Sequence, residues 1–534
     1  MSDGPHHTNP VIAGFHPGPA GCRTTSRRPG RAMARTLEHR WPDVLAAVVC
    51  LAAVPLVHRP GPALHAPYWL DEAWVALAAG APGRDLWWVG ASSPPGWTAL
   101  IWALPARGQA DRLLVLVFLA LSVLAGYAFG RSLRWPDRRT AVAAGLCTAA
   151  GVLLVPAQVL RHDLKPYTAE AAVALLLLML GARAEATWSR GRLAGLAAAL
   201  VPGTLLSHTA VFAGAAVFGG LALVPAVTRR WRRLRDVLIA GLGAGLGAAA
   251  VVGFADRTGR TAALDEYWAG YFPPVGELPR YLVMRLDELE PALGAPWPVF
   301  VVLAVLGVAA LARLGRPGSA VALVLLPLVA AGAGVARLYP LLDQRTSHFL
   351  LVCGAAAAAL GLFAAVRAAA RRFPPAVTAG MPALALAGYA FANRGVLLHP
   401  PPPGNAAEDV RSQTAYVAAH RAPGDVVLVN LSGQYGFAYY WPLGRPEFVR
   451  GGEMATGWHV AYPPGERIVI CDDRDPAAVS RCVAEADRLA AGGRIWLVRS
   501  HVNPAEARAW EAALRGRRVQ DIPVGVEPLG VLTG

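Results

Sequence analysis

Residues 112–192 read RLLVLVFLALSVLAGYAFGRSLRWPDRRTAVAAGLCTAAGVLLVPAQVLRHDLKPYTAEAAVALLLLMLGARAEATWSRGR. Three apolar runs begin near residues 112, 140 and 168, each of about the length that crosses ~30 Å of hydrocarbon. The connections differ in charge. One carries Arg131, Arg134, Arg138 and Arg139, and the one after the third run carries Arg183, Arg190 and Arg192; the loop between them is the short Arg161-His162-Asp163-Leu164-Lys165-Pro166-Tyr167. Basic residues hold short loops on the cytoplasmic side, so the Arg-rich loops read as inside and 160–167 as outside.

The same pattern extends in both directions. Apolar runs start near residues 43, 112, 140, 168, 193, 209, 236, 297, 318, 347 and 375, which predicts a polytopic α-helical membrane protein with about eleven transmembrane helices. Composition agrees: of 534 residues 55% are hydrophobic and 16% charged, with mean hydropathy +0.39, whereas soluble domains carry roughly a quarter charged residues. A cytosolic enzyme, a disordered chain and a disulfide-rich secreted module are excluded. The net charge of +15 would suggest a nucleic-acid partner in a soluble protein, but here the arginines sit in inside loops, so the excess is topology and no nucleic acid is expected. Ala, Arg, Gly and Pro dominate, as in proteins of GC-rich bacterial genomes, which points to a multi-pass protein of the bacterial cytoplasmic membrane.

Residues 1–42, rich in Pro, Gly and His and carrying Arg23, Arg27, Arg28, Arg31, Arg35 and Arg40, read as a disordered basic cytoplasmic tail. Pro94 to Pro105 is apolar but only about a dozen residues long, nearer a re-entrant helix than a span. Excluding it keeps every Arg-rich loop inside. The transmembrane domain is then 43–395, with external loops 59–111, 160–167, 256–296 and 337–346 and a tight turn at Ser207-His208-Thr209. After a Pro-rich linker, 396–404, residues 405–534 alternate apolar runs with amphipathic helices, which predicts a small extracytoplasmic α/β domain with a largely parallel sheet. Cys471 and Cys482 both fall in it, where an oxidising compartment permits a disulfide.

The external loops hold the chemistry. The first contains Tyr68-Trp69-Leu70-Asp71-Glu72-Ala73-Trp74, two adjacent carboxylates among aromatics, suited to taking a proton from a hydroxyl. Arg161 and Lys165, the only lysine of the chain, flank His162 on the side where cations are disfavoured, a set that suits a phosphate. Arg337 and Arg345 of the last loop are two further external cations; Tyr167 and His208 are candidate substrate contacts. Tyr267, Trp268, Tyr271, Phe272 and Tyr281 give the 256–296 loop the composition of a sugar-stacking or lipid-contact surface. No Cys/His spacing matches a zinc site, and no Gly-rich phosphate fingerprint follows a strand of the C-terminal domain.

In order, Leu70-Asp71-Glu72 beyond the first span, Ser93-Pro94-Pro95 opening the next apolar helix, Arg161 to Tyr167 before a Leu-rich span and Asp343 to Leu350 heading a late one resemble the GT-C glycosyltransferases. That class includes protein O-mannosyltransferases and the aminoarabinose transferase of lipid A, and the resemblance covers about residues 40–395. Three positions depart from it: Lys165-Pro166-Tyr167 stands for Arg-Pro-Tyr, Gln344 interrupts the late element, and Ser93 replaces a usual His. The resemblance implies transfer of a sugar from a polyprenyl-phosphate donor at the outer face. Asp71 would be the base with Glu72 supporting it, Arg161, Lys165 and Arg345 would bind the donor phosphate, and His162, Tyr167, His208 and Arg337 would contact substrate. It favours inversion and a metal-independent site over one using a divalent cation; the acceptor, whether glycan, protein or lipid, is not specified. A lipid-linked-sugar flippase or transporter and a non-catalytic membrane assembly partner are the competing classes. The former calls for ionisable residues within spans and inverted repeats.

Overall fold

The computed structural model describes residues 29–90, 93–104, 109–259, 262–370, 375–400, 408–527 and 529–533, with the backbone alone described for 29–40, 255–263 and 375–379. The chain divides after Leu45 into a short N-terminal unit and a body, Ala46–Gly534; all that follows concerns the body. Of the tail read as disordered, 1–28 lie outside the described residues, and the helix Pro29–Val57 takes up the remainder.

Each of the eleven apolar stretches is a helix. In order these are Pro29–Val57, Leu113–Arg131, Arg138–Leu154, Tyr167–Thr187, Arg190–Leu206, Ala210–Val227, Trp231–Gly259, Trp297–Arg313, Pro317–Val335, His348–Ala369 and Pro375–Ala392. Five are long and apolar enough to cross a membrane by themselves: Ala110–Arg131, counted with its leading 3-10 turn, Ala210–Val227, Trp231–Phe254, Pro317–Val335 and His348–Ala369. Pro95–Ala103 has 9 residues, about 14 Å of helix, so it does not span.

Small residues let these helices approach. A Cβ on Gly361 would come within 1.9 Å of the Leu303 carbonyl oxygen, and one on Gly307 within 2.0 Å of that of Ala357. The helices Trp297–Arg313 and His348–Ala369 therefore cross backbone to backbone, the contact available where water supplies no hydrophobic drive between helices. At the opposite end from the site, Glu185 accepts from the Gly318 and Ser319 amides at 2.7 and 3.0 Å and thereby caps the helix Pro317–Val335 at its positive end.

The segment 59–111 is helical over much of its described length: Pro60–His65, Leu70–Ala79, Gly83–Val89 and Pro95–Ala103. Its prolines fall in first turns, where a missing N–H costs nothing.

The C-terminal region has seven strands, β1 (Val426–Val429), β2 (Glu447–Arg450), β3 (Trp458–Ala461), β4 (Ile468–Ile470), β5 (Ile495–Val498), β6 (Arg518–Ile522) and β7 (Leu529–Thr533). Five form one sheet in the order β4-β1-β5-β7-β6. β4, β1 and β5 are parallel, while β7 runs antiparallel to both β5 and β6. The sheet is thus mixed where a largely parallel one was expected, because Leu529–Thr533, a short run starting Leu-Gly with no alternation, carries no strand signal and adds the reversed partner. Val426 and Leu428 face the helices Pro476–Ala490 and Pro504–Ala513, and Val427 and Val429 face Val410–His420 and Gly433–Tyr440; period-two alternation of wholly apolar strands covers both faces. Cys471 and Cys482 are bonded, with Cα atoms 5.7 Å apart, and tie the end of β4 to the helix Pro476–Ala490.

An antiparallel ribbon, β2 and β3, docks the sheet domain on the segment 59–111. Trp458 is buried and donates from its indole to the Val89 carbonyl at 3.0 Å, and Arg450 lies 4.9 Å from the Trp88 ring centroid. Leu431, Tyr435 and Val460 share one core with Leu70, Ala73 and Trp97.

The glycine crossing is testable. Gly361→Val should lower stability by at least the ~1–3 kcal/mol of ordinary overpacking, read as a lower Tm of the purified protein. Gly332→Ala, where a Cβ meets nothing within 4 Å, should leave Tm in place.

Candidate active site

The segments 59–111, 160–167, 256–296 and 337–346 converge at Asp71. The residue lies in the first turn of Leu70–Ala79, where the helix dipole favours a carboxylate. Its Oδ2 is 3.2 Å from Arg345 Nη1, with the two side chains 14% and 18% exposed. Arg345 is held from all sides. Its amide donates to Asp343 Oδ1 at 2.9 Å, its Nε lies 3.7 Å from that oxygen, and its Nη2 donates to the Tyr267 hydroxyl. The rings of Tyr267 and Trp268 lie at 5.7 and 5.4 Å from the guanidinium carbon. Those aromatics arrive because the 256–296 loop is pinned to the last loop: Leu341 N–H donates to the Tyr271 carbonyl at 2.9 Å and the Tyr281 hydroxyl to the Leu341 carbonyl at 2.7 Å.

Lys165 approaches from the third direction, buried, with Nζ 4.3 Å from the Trp74 ring centroid. Burial pulls its ammonium below the ordinary lysine value and Arg345 adds to the pull, while Asp71, Asp163 and Glu72 hold it up. Tyr167 lies in the same field, close enough to Arg345 and Asp71 to interact with both. Asp71, Lys165, Tyr167 and Arg345 are therefore brought together. Arg161 pairs with Asp163 at 3.8 Å on the neighbouring turn; its Nε, the Gln158 amide nitrogen and His348 Nδ1 are buried polar atoms with no hydrogen-bond partner among the described residues.

Glu72 has a different environment from Asp71. It is fully buried, accepts from Arg112 Nε on Oε1 at 2.7 Å and from Arg112 Nη2 on Oε2, and its Oε1 also accepts the Leu164 amide at 2.8 Å. Arg112 spends its other donors on the carbonyls of Ala63, Ala66 and Pro67. These bonds fix the backbone on either side of Asp71. Arg112 was not singled out from sequence, although in the topology read there a cation at the outer start of a span runs against the inside bias and was a usable signal.

His162 is buried against His58, Nε2 to Nδ1 at 3.0 Å, and His58 Nε2 lies 3.0 Å from the Leu153 carbonyl. A carbonyl only accepts, so His58 carries its proton on Nε2 and His162 donates from its own Nε2. Burial, with Arg161 adding to it, pushes His162 down to about 4. His208 and Arg337 sit differently. His208 is exposed on the turn whose amides are bonded to Glu170, and Arg337 is exposed 5.3 Å from the Phe272 ring centroid.

Ser93-Pro94-Pro95 opens the short helix Pro95–Ala103, and a Cβ on Gly96 would meet the Leu205 carbonyl oxygen at 2.7 Å. That close seat brings the short helix, with Trp97 buried, beneath the Asp71 helix.

Two outcomes follow from these contacts. Breaking a buried pair leaves an uncompensated charge at a cost of about 3–5 kcal/mol, so Arg112→Ala should lower Tm far more than Asp71→Asn, whose partner Arg345 keeps Asp343. His162 is neutral when folded and its pKa is depressed, so the unfolded chain binds the extra proton: the stability it contributes is present above about pH 6.5 and is lost as pH falls toward 4. Unfolding followed by intrinsic fluorescence between pH 7 and 4 should show a steeper loss in the wild type than in His162→Gln.

Among solved structures the chain is similar to ArnT from Cupriavidus metallidurans bound to undecaprenyl phosphate, at 14% identity and TM-score 0.52, covering 91% of this chain and 97% of that one. It is also similar to the Archaeoglobus fulgidus oligosaccharyltransferase in the apo form, at 12% identity and TM-score 0.52, covering 90% and 73%. No protein-family model matches the sequence, and no curated protein does. At such identities the likeness is one of fold.

Proposed function

We propose that this chain, which has the GT-C membrane fold, transfers a sugar from a polyprenyl-phosphate donor to an acceptor hydroxyl at the outer face of the bacterial cytoplasmic membrane. The observation that carries the reading is the opposition of Asp71 to Arg345 and Lys165 where four loops meet. That undecaprenyl phosphate is bound in the ArnT structure supports a lipid-phosphate donor here. In this reading all eleven helices span, the N-terminus is cytoplasmic, the linker starts near residue 396, and the sheet domain at 405–534 is extracytoplasmic.

The acceptor oxygen attacks the anomeric carbon as the bond from that carbon to the phosphate oxygen breaks. The electron pair leaves on the phosphate and the hydroxyl proton passes to Asp71. One base and no covalent intermediate give inversion at the anomeric carbon. Arg345, Lys165 and Arg161 neutralise charge growing on the departing phosphate in a site with little water, so the scheme routes nothing through a divalent cation. Without donor, Arg345 is occupied by Asp71; a phosphate that draws Arg345 away leaves the carboxylate free to act, so that the base is unmasked by the substrate it serves. Tyr267 and Trp268 offer ring faces to the sugar.

The test is transfer of label in membranes from a panel of radiolabelled polyprenyl-phosphate sugars. The wild type should transfer one of them, and Asp71→Asn at equal expression should lose about 10²–10⁴ in rate, the size of a general-base contribution. Arg345→Ala should raise the donor KM as well as lower kcat. No transfer from any donor by folded wild type would return the flippase and scaffold readings.

A further inference from the structure

An edge of the sheet domain is tied to the Asp71 helix. β4, β1 and β5 are parallel, so the loops after them share one edge, the edge outside which open α/β sheets bind ligands. The loop after β5 is Arg499-Ser500-His501. Glu408 joins this edge to the Asp71 helix: its Oε2 accepts the Leu70 amide at 2.7 Å, and its Oε1 lies 2.7 Å from His501 Nδ1. The Asp71 carboxylate lies within electrostatic reach of the same imidazole.

Three features of His501 exceed a structural need. Its φ is +53°, in the left-handed region, and it is fixed there by its own amide donating to Glu527 Oε1 at 2.9 Å and the Ser500 amide donating to Asn430 Oδ1 at 3.0 Å. Backbone held this way by its surroundings is characteristic of ligand sites. A carboxylate only accepts, so Nδ1 carries a proton and the ring is held by that side, leaving Nε2 for another partner. The side chain is 43% exposed, and Nε2 has no protein partner among the described residues. Capping Leu70 requires Glu408 alone.

We propose that His501 is an acceptor-binding residue, whose Nε2 hydrogen-bonds a hydroxyl of the acceptor and holds its neighbouring hydroxyl over Asp71. This rests on the transferase reading above. The groups facing the imidazole are the carboxylates of Glu408, Glu527 and Asp71, acceptors that suit the hydroxyl groups of a neutral polyhydroxyl acceptor.

The experiment uses the purified full-length protein with the labelled donor that the membrane assay identifies and n-octyl glucoside as a neutral hydroxyl acceptor. Glycine is at ease at φ +53°, so His501→Gly removes the imidazole with the backbone undisturbed, and His501→Gln restores a hydrogen-bonding side chain. His501→Gly should raise the octyl glucoside KM about tenfold, the worth of one good hydrogen bond, with kcat changed less than threefold. His501→Gln should recover part of that KM, and undecaprenyl phosphate binding should stay within twofold in both. An unchanged acceptor KM in His501→Gly overturns the assignment, as does a loss confined to donor binding. Transfer to native membrane acceptors with none to octyl glucoside overturns the neutral acceptor class, whereas a wild type that transfers to nothing overturns the transferase reading itself.

Discussion

The buried pair of Glu72 and Arg112 is what the candidate site is built around. One guanidinium ties a carboxylate on the helix Leu70–Ala79 to three carbonyls of the preceding segment, and the same carboxylate takes the amide of Leu164. Three pieces distant in sequence, the first loop, the start of the helix Leu113–Arg131 and the 160–167 turn, are thus fixed at a single point. A buried ion pair is weak evidence of net stability, since desolvation offsets its attraction. Its contribution here is geometric. The residue beside Glu72 is Asp71, and the residue after Leu164 is Lys165, so fixing the two backbones also fixes the acid and the cation that face each other.

The reactive layer around that anchor is nearly neutral by pairing. Asp71, Asp163 and Asp343 are matched by Lys165, Arg161 and Arg345. A compact arrangement of this kind is affordable in a poorly hydrated place because each charge sees its opposite within a few ångströms. In the proposed reaction it is also easily rearranged as charge grows on a departing phosphate, because the cations are already gathered and only their partners need to change. Arg345, with its fork shared between Asp71 and the Tyr267 hydroxyl, is the member most readily recruited.

Much of this was legible in the sequence because membranes impose a simple grammar. Length of apolar run and sidedness of arginine located every one of the eleven helices, and the acidic dipeptide, Lys165 and Arg345 stood out as ionisable groups on the disfavoured side or among aromatics. The pairing of Glu72 with Arg112 was not legible: adjacent residues on a helix point about 100° apart, and which carboxylate meets Arg112 depends on the packing of a segment forty residues away. Glu408 and His501 were invisible for a similar reason, being ordinary polar residues in an ordinary domain until the docking of that domain gives them neighbours. The ribbon of β2 and β3 was missed because its strands alternate only partly between buried and exposed positions, and β7 because a glycine near its start reads as a turn.

Glu408 comes ten residues after Leu398, the end of the helix Arg394–Leu398 that closes the membrane half. Domain docking through Glu408 is therefore an intramolecular event over a short tether, with an effective concentration in the millimolar range or above. The tether thus adds to the apolar core that Leu431, Tyr435, Trp458 and Val460 share with the Asp71 helix. The same sheet domain supplied as a separate polypeptide would keep that apolar surface but lose the concentration, and would have to reach its seat by affinity alone.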